Sequence, residues 1–198
     1  MGAKTQSIDS WLKAHATHQP NHPAVHFEGH TWTYRAFSDW VEQVAVALQH
    51  SLGLKRGDRV AYYGKNCDTE VALFFACARL GLIIVPLNWR LVPAELNYIL
   101  GDSGAKVLFH DDNFLDQVPA ALVGLATLAV NTSDRLDALI DKSQGLAVAT
   151  DADLSDPMFI VYTSGTTGRP KGAVLTQESI LWNAIISVHA HDFTPANH

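Results

Sequence analysis

Three short apolar runs constrain the fold more than any other feature: ArgValAlaTyrTyr at 59–63, LeuIleIleValPro at 82–86 and LysValLeuPheHis at 106–110. Their starts lie 23 and 24 residues apart, which leaves room for one crossover helix after each of the first two. Asp68 opens the first of those helices. Pro93, a favoured first-turn residue, opens the second, which closes near Gly101. Strand, helix and strand at this spacing predict parallel pairing with right-handed connections. Because the runs are apolar without alternation, both faces of the sheet are expected to lie under helices. The fold class that follows is α/β, a parallel sheet covered by helices.

The flanking sequence extends this unit. A short helix is expected over 8–18, ending before Gln19-Pro20 because the residue ahead of a proline disfavours the helical region. A hairpin follows over 24–33, turning at Glu28-Gly29-His30. Phe37, Val41, Val44 and Leu48 recur at helical spacing, so an amphipathic helix is expected over 34–51, with Thr33 as N-cap and Gly53 just beyond its end. Further on, the sequence predicts a strand at 126–130 and a helix at 135–142. With 198 residues, 47% of them hydrophobic, the chain can bury a core, either as one large domain or as a piece of something longer.

Several function classes are excluded. The net charge is −6 and the 14 lysines and arginines are scattered without a basic run, so the electrostatic footprint of a nucleic-acid binder is missing. The most apolar segment, 71–87, is interrupted by Arg79, Gly81 and Pro86 and is shorter than the roughly 20 residues a membrane helix needs. Residues 1–10 have no apolar signal core, and Gln6 occupies the position where a myristoylation motif needs Ser or Thr. Cys67 and Cys77 give no disulfide framework or metal spacing; they are expected to be packing residues in a protein of the reducing cytoplasm. His15, His18, His22, His26 and His30 recur every three or four residues, but Pro20 and Pro23 break any helix that would align them, so no metal site is expected. His189 and His191 lack a third ligand, and Asn131-Thr-Ser133 reads as an accidental glycosylation pattern.

The chemistry is concentrated at 158–172. An apolar strand over 158–163 runs into Ser164-Gly-Thr-Thr-Gly-Arg-Pro-Lys-Gly172, with three glycines, three hydroxyls, one arginine and one lysine in nine residues. Glycines let successive backbone N–H groups converge on an anion, hydroxyls add donors, and Lys171 brings a mobile positive charge suited to a polyphosphate. A helix over 177–190, capped by Thr176, anchors the loop and is expected to turn Ile180, Leu181, Ala184, Ile185 and Val188 to the core. The P-loop of nucleoside triphosphatases does not fit, because Pro170 stands five positions after Gly165 and Gly172 follows Lys171. A dinucleotide GxGxxG is absent.

Tyr162-Thr-Ser-Gly-Thr-Thr-Gly-Arg-Pro-Lys-Gly172 resembles the phosphate-binding signature of the AMP-forming adenylating enzymes, which include acyl-CoA synthetases, firefly luciferase and peptide-synthetase adenylation domains. The resemblance covers nearly the whole chain. Trp32-Thr-Tyr-Arg-Ala-Phe37, Gly57-Asp-Arg-Val-Ala61, Asn66 and the segment 79–91 stand in the family's order, and 86–96 is similar to acyl- and aryl-CoA ligases. It implies that residues 1–198 form the N-terminal portion of the adenylating large domain. It further implies a parent enzyme that joins a carboxylic acid to the α-phosphate of ATP, releases pyrophosphate and passes the acyl group to the thiol of CoA, as in fatty acid metabolism. By that resemblance Thr163, Ser164, Thr166 and Thr167 would bond the β- and γ-phosphates and help place Mg²⁺, while Gly165 and Gly168 let the backbone approach. Lys171 would be the catalytic charge on the departing pyrophosphate. Arg90 matches an arginine directed at CoA phosphates, and it equally fits a solvated loop position.

The chain departs from the family in length. Members carry an acyl pocket, a Tyr-Gly-x-Thr-Glu segment, a ribose-binding aspartate and a small C-terminal domain with a lysine after the phosphate loop, and this sequence stops before all of them. The expectation is an N-terminal fragment without ligase activity of its own, and the sequence does not name the acid. A stand-alone nucleotide- or phosphate-binding module and a non-catalytic interaction domain remain open beside it. An uncovered stripe including Ile185, Ile186 and Val188, with an open edge on the strand at 158–163, predicts self-association.

Overall fold

The computed structural model describes residues 7–125, 127–131, 135–163 and 169–191. Ser164, Gly165, Thr166, Thr167 and Gly168 lie outside them, as does the C-terminal 192–198.

The three apolar runs become β3 (Arg59–Gly64), β4 (Ile83–Asn88) and β5 (Val107–His110). Between them run α3 (Asp68–Leu80) and α4 (Pro93–Ser103). α4 carries proline in its first turn, and the Glu95 carboxylate accepts from the Val92 backbone N–H at 3.1 Å. Upstream lie α1 (Asp9–His18), the hairpin of β1 (Pro23–Phe27) and β2 (His30–Thr33), and α2 (Tyr34–Val46). The Thr33 hydroxyl caps α2 by accepting from the Ala36 N–H. Downstream come the short α5 (Val118–Ala121), β6 (Leu128–Asn131), α6 (Arg135–Lys142), β7 (Pro157–Thr163), β8 (Lys171–Thr176) and α7 (Gln177–Ala190).

Six strands form one sheet in the order β6-β5-β3-β4-β7-β8. Every pairing is parallel except β7 with β8, which is antiparallel. Val60, Tyr62, Ile84, Val107 and Phe109 pack on one side against residues of α2 and α3, while Ala61, Tyr63, Val85 and Leu108 pack on the other against α4 and α5. Burial on both faces is what a non-alternating apolar strand demands.

Three details differ from the sequence reading. The helix from Tyr34 ends at Val46 and continues as one π-helical turn over Ala47–Ser51. Cys77 and Cys67 both pack on the core as expected, but Cys67 is in addition the N-cap of α3, its Sγ accepting from the Glu70 N–H at 3.4 Å. The largest difference is β8, which occupies residues expected to lie in the loop and in the approach to the last helix. It places β7 between β4 and β8, so the strand over 157–163 has no open edge, and the outer position passes to β8.

Two buried polar contacts tie distant segments together. Arg79, 1% exposed, bonds Asp9 through Nε at 2.8 Å and Nη2 at 3.0 Å and reaches Glu42 through Nη1, joining α1, α2 and α3. The buried Gln177 amide accepts from the Ile8 N–H at 2.8 Å and donates to the Ala78 carbonyl at 2.9 Å, which seats the start of α7 on the end of α3.

Candidate phosphate-binding site

The candidate site is the β7–β8 hairpin at the carboxyl end of the parallel strands. Val161 pairs with Ala173, Tyr162 with Gly172 and Thr163 with Lys171. The two outermost members of the ladder are therefore the hydroxyl and the ammonium that the sequence assigns to phosphate, and both are exposed. The described structure thus brings Thr163 and Lys171 together. It does not describe Ser164 to Gly168, which connect them.

Why this hairpin holds its geometry is legible in side chains. A Cβ on Gly172 would lie 2.6 Å from Ile160 Cγ2 and 3.1 Å from Tyr162 Cζ, so only glycine lets the Tyr162 ring lie over the opposing strand. The Tyr162 hydroxyl then donates to Asp102 Oδ2 on α4 at 2.5 Å. Its desolvation and that bond push the Tyr162 phenol well above its ordinary value, so it stays a donor. One turn earlier on α4, the Tyr98 hydroxyl donates to the Pro170 carbonyl at 3.4 Å, and the Arg169 guanidinium lies 5.9 Å from the Tyr98 ring centroid. Asp102 and Tyr98 were not among the residues singled out from the sequence. Their i, i+4 spacing is visible there, but the strand that they face is not.

Arg90 sits elsewhere at the same end of the sheet, in the turn between β4 and α4. The pairing of Ile84 with Phe159 runs parallel, so Asn88 and Thr163 each stand four residues further along neighbouring strands. Arg90 is exposed, with its guanidinium 4.2 Å from the Trp89 ring centroid and its N–H donating to Asn88 Oδ1 at 3.0 Å. Tyr63 supports the turn from below: its hydroxyl lies 2.7 Å from Gln117 Oε1 and within 3.2 Å of the Trp89 and Leu91 carbonyls. The stacked arginine is open to an anionic group on its free side.

A cleft of about 750 Å³ between α2 and α6 does not compete for phosphate. Its charged lining is Glu42, Asp137 and Asp141, the wrong sign for a polyanion. No helix among the described residues is long and apolar enough to cross a membrane.

Comparison with known proteins places the chain in a family. A family model described as AMP-binding enzyme matches residues 12–197. The chain is 37% identical over 196 residues to indoleacetate–CoA ligase of Aromatoleum aromaticum, covering 94% of this chain and 38% of that protein. It is 40% identical over 182 residues to feruloyl-CoA synthase of an Amycolatopsis species, covering 92% and 36%. In structure it matches the inhibitor-bound N-terminal domain of FACL13 from Mycobacterium tuberculosis with a TM-score of 0.79 and 30% identity, over 89% of this chain and 46% of that one. A chain from Rhodopseudomonas palustris described as a long-chain-fatty-acid CoA ligase aligns with a TM-score of 0.89 and 27% identity, over 97% and 50%. The chain spans little more than a third of the length of these curated relatives.

Proposed function

The chain belongs to the AMP-binding enzyme family, and from that premise we propose that it supplies the phosphate-binding part of an AMP-forming ligase that activates a carboxylic acid with ATP and transfers it to CoA. The observation that carries this reading is the pairing of Thr163 with Lys171 at the mouth of the β7–β8 hairpin, on either side of the glycine- and hydroxyl-rich segment. In this role Thr163, Ser164, Thr166 and Thr167 bond the β- and γ-phosphates, and the backbone at Gly165 and Gly168 approaches them. Hydroxyl oxygens are also hard ligands of the kind that Mg²⁺ accepts, so the same segment suits the metal that accompanies ATP. Lys171 neutralises charge that builds on the pyrophosphate as it leaves, a contribution that depends on being held in place beforehand. Arg90, braced on Trp89, meets the phosphates of CoA. The wider protein works in the cytoplasm. The isolated chain associates with itself through β8 and α7, and by itself it does not exchange pyrophosphate into ATP.

The test is binding of ATP and of adenosine to the 198-residue chain by isothermal calorimetry. ATP is expected to bind and adenosine to bind far more weakly. Lys171→Ala should weaken ATP binding roughly tenfold or more, the size of one charge-assisted hydrogen bond. Equal affinity for the two ligands, or an unchanged affinity in the variant, would remove phosphate recognition from this hairpin.

A further inference from the structure

The acid at Asp102 is out of place beside a site for a polyanion. It is exposed, and at hydrogen-bond distance from the residue preceding Thr163. A carboxylate there repels phosphate unless it is employed in holding something. What it holds is visible. Asp102 accepts from the Tyr162 hydroxyl at 2.5 Å, and the Tyr162 ring fills the space that Gly172 leaves open on the facing strand. The same α4 face, one turn away, takes the residue that leads into the other strand, through Tyr98 and the Pro170 carbonyl. Tyr162 immediately precedes Thr163, and Pro170 immediately precedes Lys171.

Resting on the phosphate-binding reading of the hairpin, we propose that Asp102 and Tyr98 are positioning residues: they clamp the two ends of the β7–β8 hairpin to α4 and so fix Thr163 and Lys171 for the polyphosphate. Neither touches phosphate. Their contribution is to remove, before binding, the freedom that the ends of a solvent-exposed hairpin otherwise keep, which is where affinity is gained by preorganisation. The carboxylate costs some electrostatic repulsion, and the clamp outweighs it.

That balance gives a test by sign. The probe is inorganic tripolyphosphate, which needs no ribose or base contacts, titrated into the full chain. If Asp102 were a bystander, Asp102→Ala would remove a repelling charge and tighten binding. The clamp predicts the opposite, a roughly three- to tenfold weaker affinity, the size expected for losing one exposed charge-assisted hydrogen bond. Asp102→Asn keeps an acceptor without the charge and should bind at least as tightly as wild type, a rescue that a merely structural role does not provide. Tyr162→Phe breaks the same bond but leaves the carboxylate, so it should weaken binding at least as much as Asp102→Ala, and adding it to Asp102→Ala should cost little more, because both break one bond. Tighter binding in Asp102→Ala, or Asp102→Asn behaving as Asp102→Ala, overturns the proposal. Hydrogen exchange on the ligand-free chain separates it from the functional reading. Asp102→Ala should speed exchange of the amides in 160–163 and 171–174 while α2 and α3 keep their protection. Unchanged exchange in those strands overturns the clamp. Local acceleration in a chain that binds no tripolyphosphate upholds the clamp and sinks the phosphate reading alone.

Discussion

Glu70, in the first turn of α3, is half-buried, and that burial pushes its carboxyl up to about 7, only partly offset by a bond from the Cys67 backbone. An acid whose folded value exceeds its unfolded one binds more protons in the native state, so its effect is absent below the unfolded value near 4.5 and grows as pH rises towards 7. Glu70 therefore destabilises the chain increasingly across that window and by a constant amount above it. Glu70→Gln should raise the melting temperature at pH 8 and leave it little changed at pH 4.5, read by circular dichroism. An equal shift at both values would mean that packing, not titration, is being measured. At this scale the sequence reveals a residue with a chemical signature of its own, such as the capping hydroxyl of Thr33. It does not reveal that the Cys67 Sγ caps a helix in place of the usual hydroxyl, nor the contacts of Gln177, Asp102 and Arg79. The roles of the last three depend on partners 169, 60 and 70 residues away. Such pairings have no local pattern to betray them.

Elements follow the same division. α3, α4, α6 and α7 stand where apolar periodicity, capping hydroxyls and Pro93 put them, and the buried strands β3 to β5 announced themselves by composition. β8 escaped because its residues carry the opposite signal. Lys171 to Val174 are all exposed, and glycine and lysine open the strand, so the segment reads as loop until its partner is known. Its pairing rests on the fit across Gly172, which yields a prediction by contrast. Gly101 lies inside α4, where an added Cβ would meet Leu125 Cδ2 at an ordinary 3.6 Å, whereas a Cβ on Gly172 would lie 2.6 Å from Ile160 Cγ2. Gly101→Ala should stabilise by about 0.5–1 kcal/mol through lost chain entropy. Gly172→Ala should destabilise by about 1–3 kcal/mol, the cost of overpacking. Urea denaturation of the two variants checks both signs, and a stabilised Gly172→Ala would mean that Tyr162 does not lie over β8.

For the molecule as a whole, the two sides of the sheet are unequal in completeness. β3, β4 and β5 are buried on both faces, yet at the far end β8 has an unpaired side among the described residues. Val174 on that strand is 59% exposed, and on α7 Trp182, Ile186 and Val188 are 55%, 62% and 47% exposed. The apolar stripe of the last helix is thus less covered than its periodicity suggests: Ile180, Leu181, Ala184 and Ile185 are half-buried, while Val188 faces solvent. An unpaired strand edge together with exposed apolar side chains is a template for association, since pairing satisfies backbone groups and covers side chains together. The expected outcome is a dimer or larger oligomer of the isolated chain at tens of micromolar, seen by light scattering. Val174→Lys places a charge on the edge strand, and Trp182→Glu places one on α7. Both residues are exposed, so neither change disturbs the core, and each should shift the population towards monomer with an unchanged circular-dichroism spectrum. A wild-type chain that is already monomeric at that concentration would overturn association through β8 and α7.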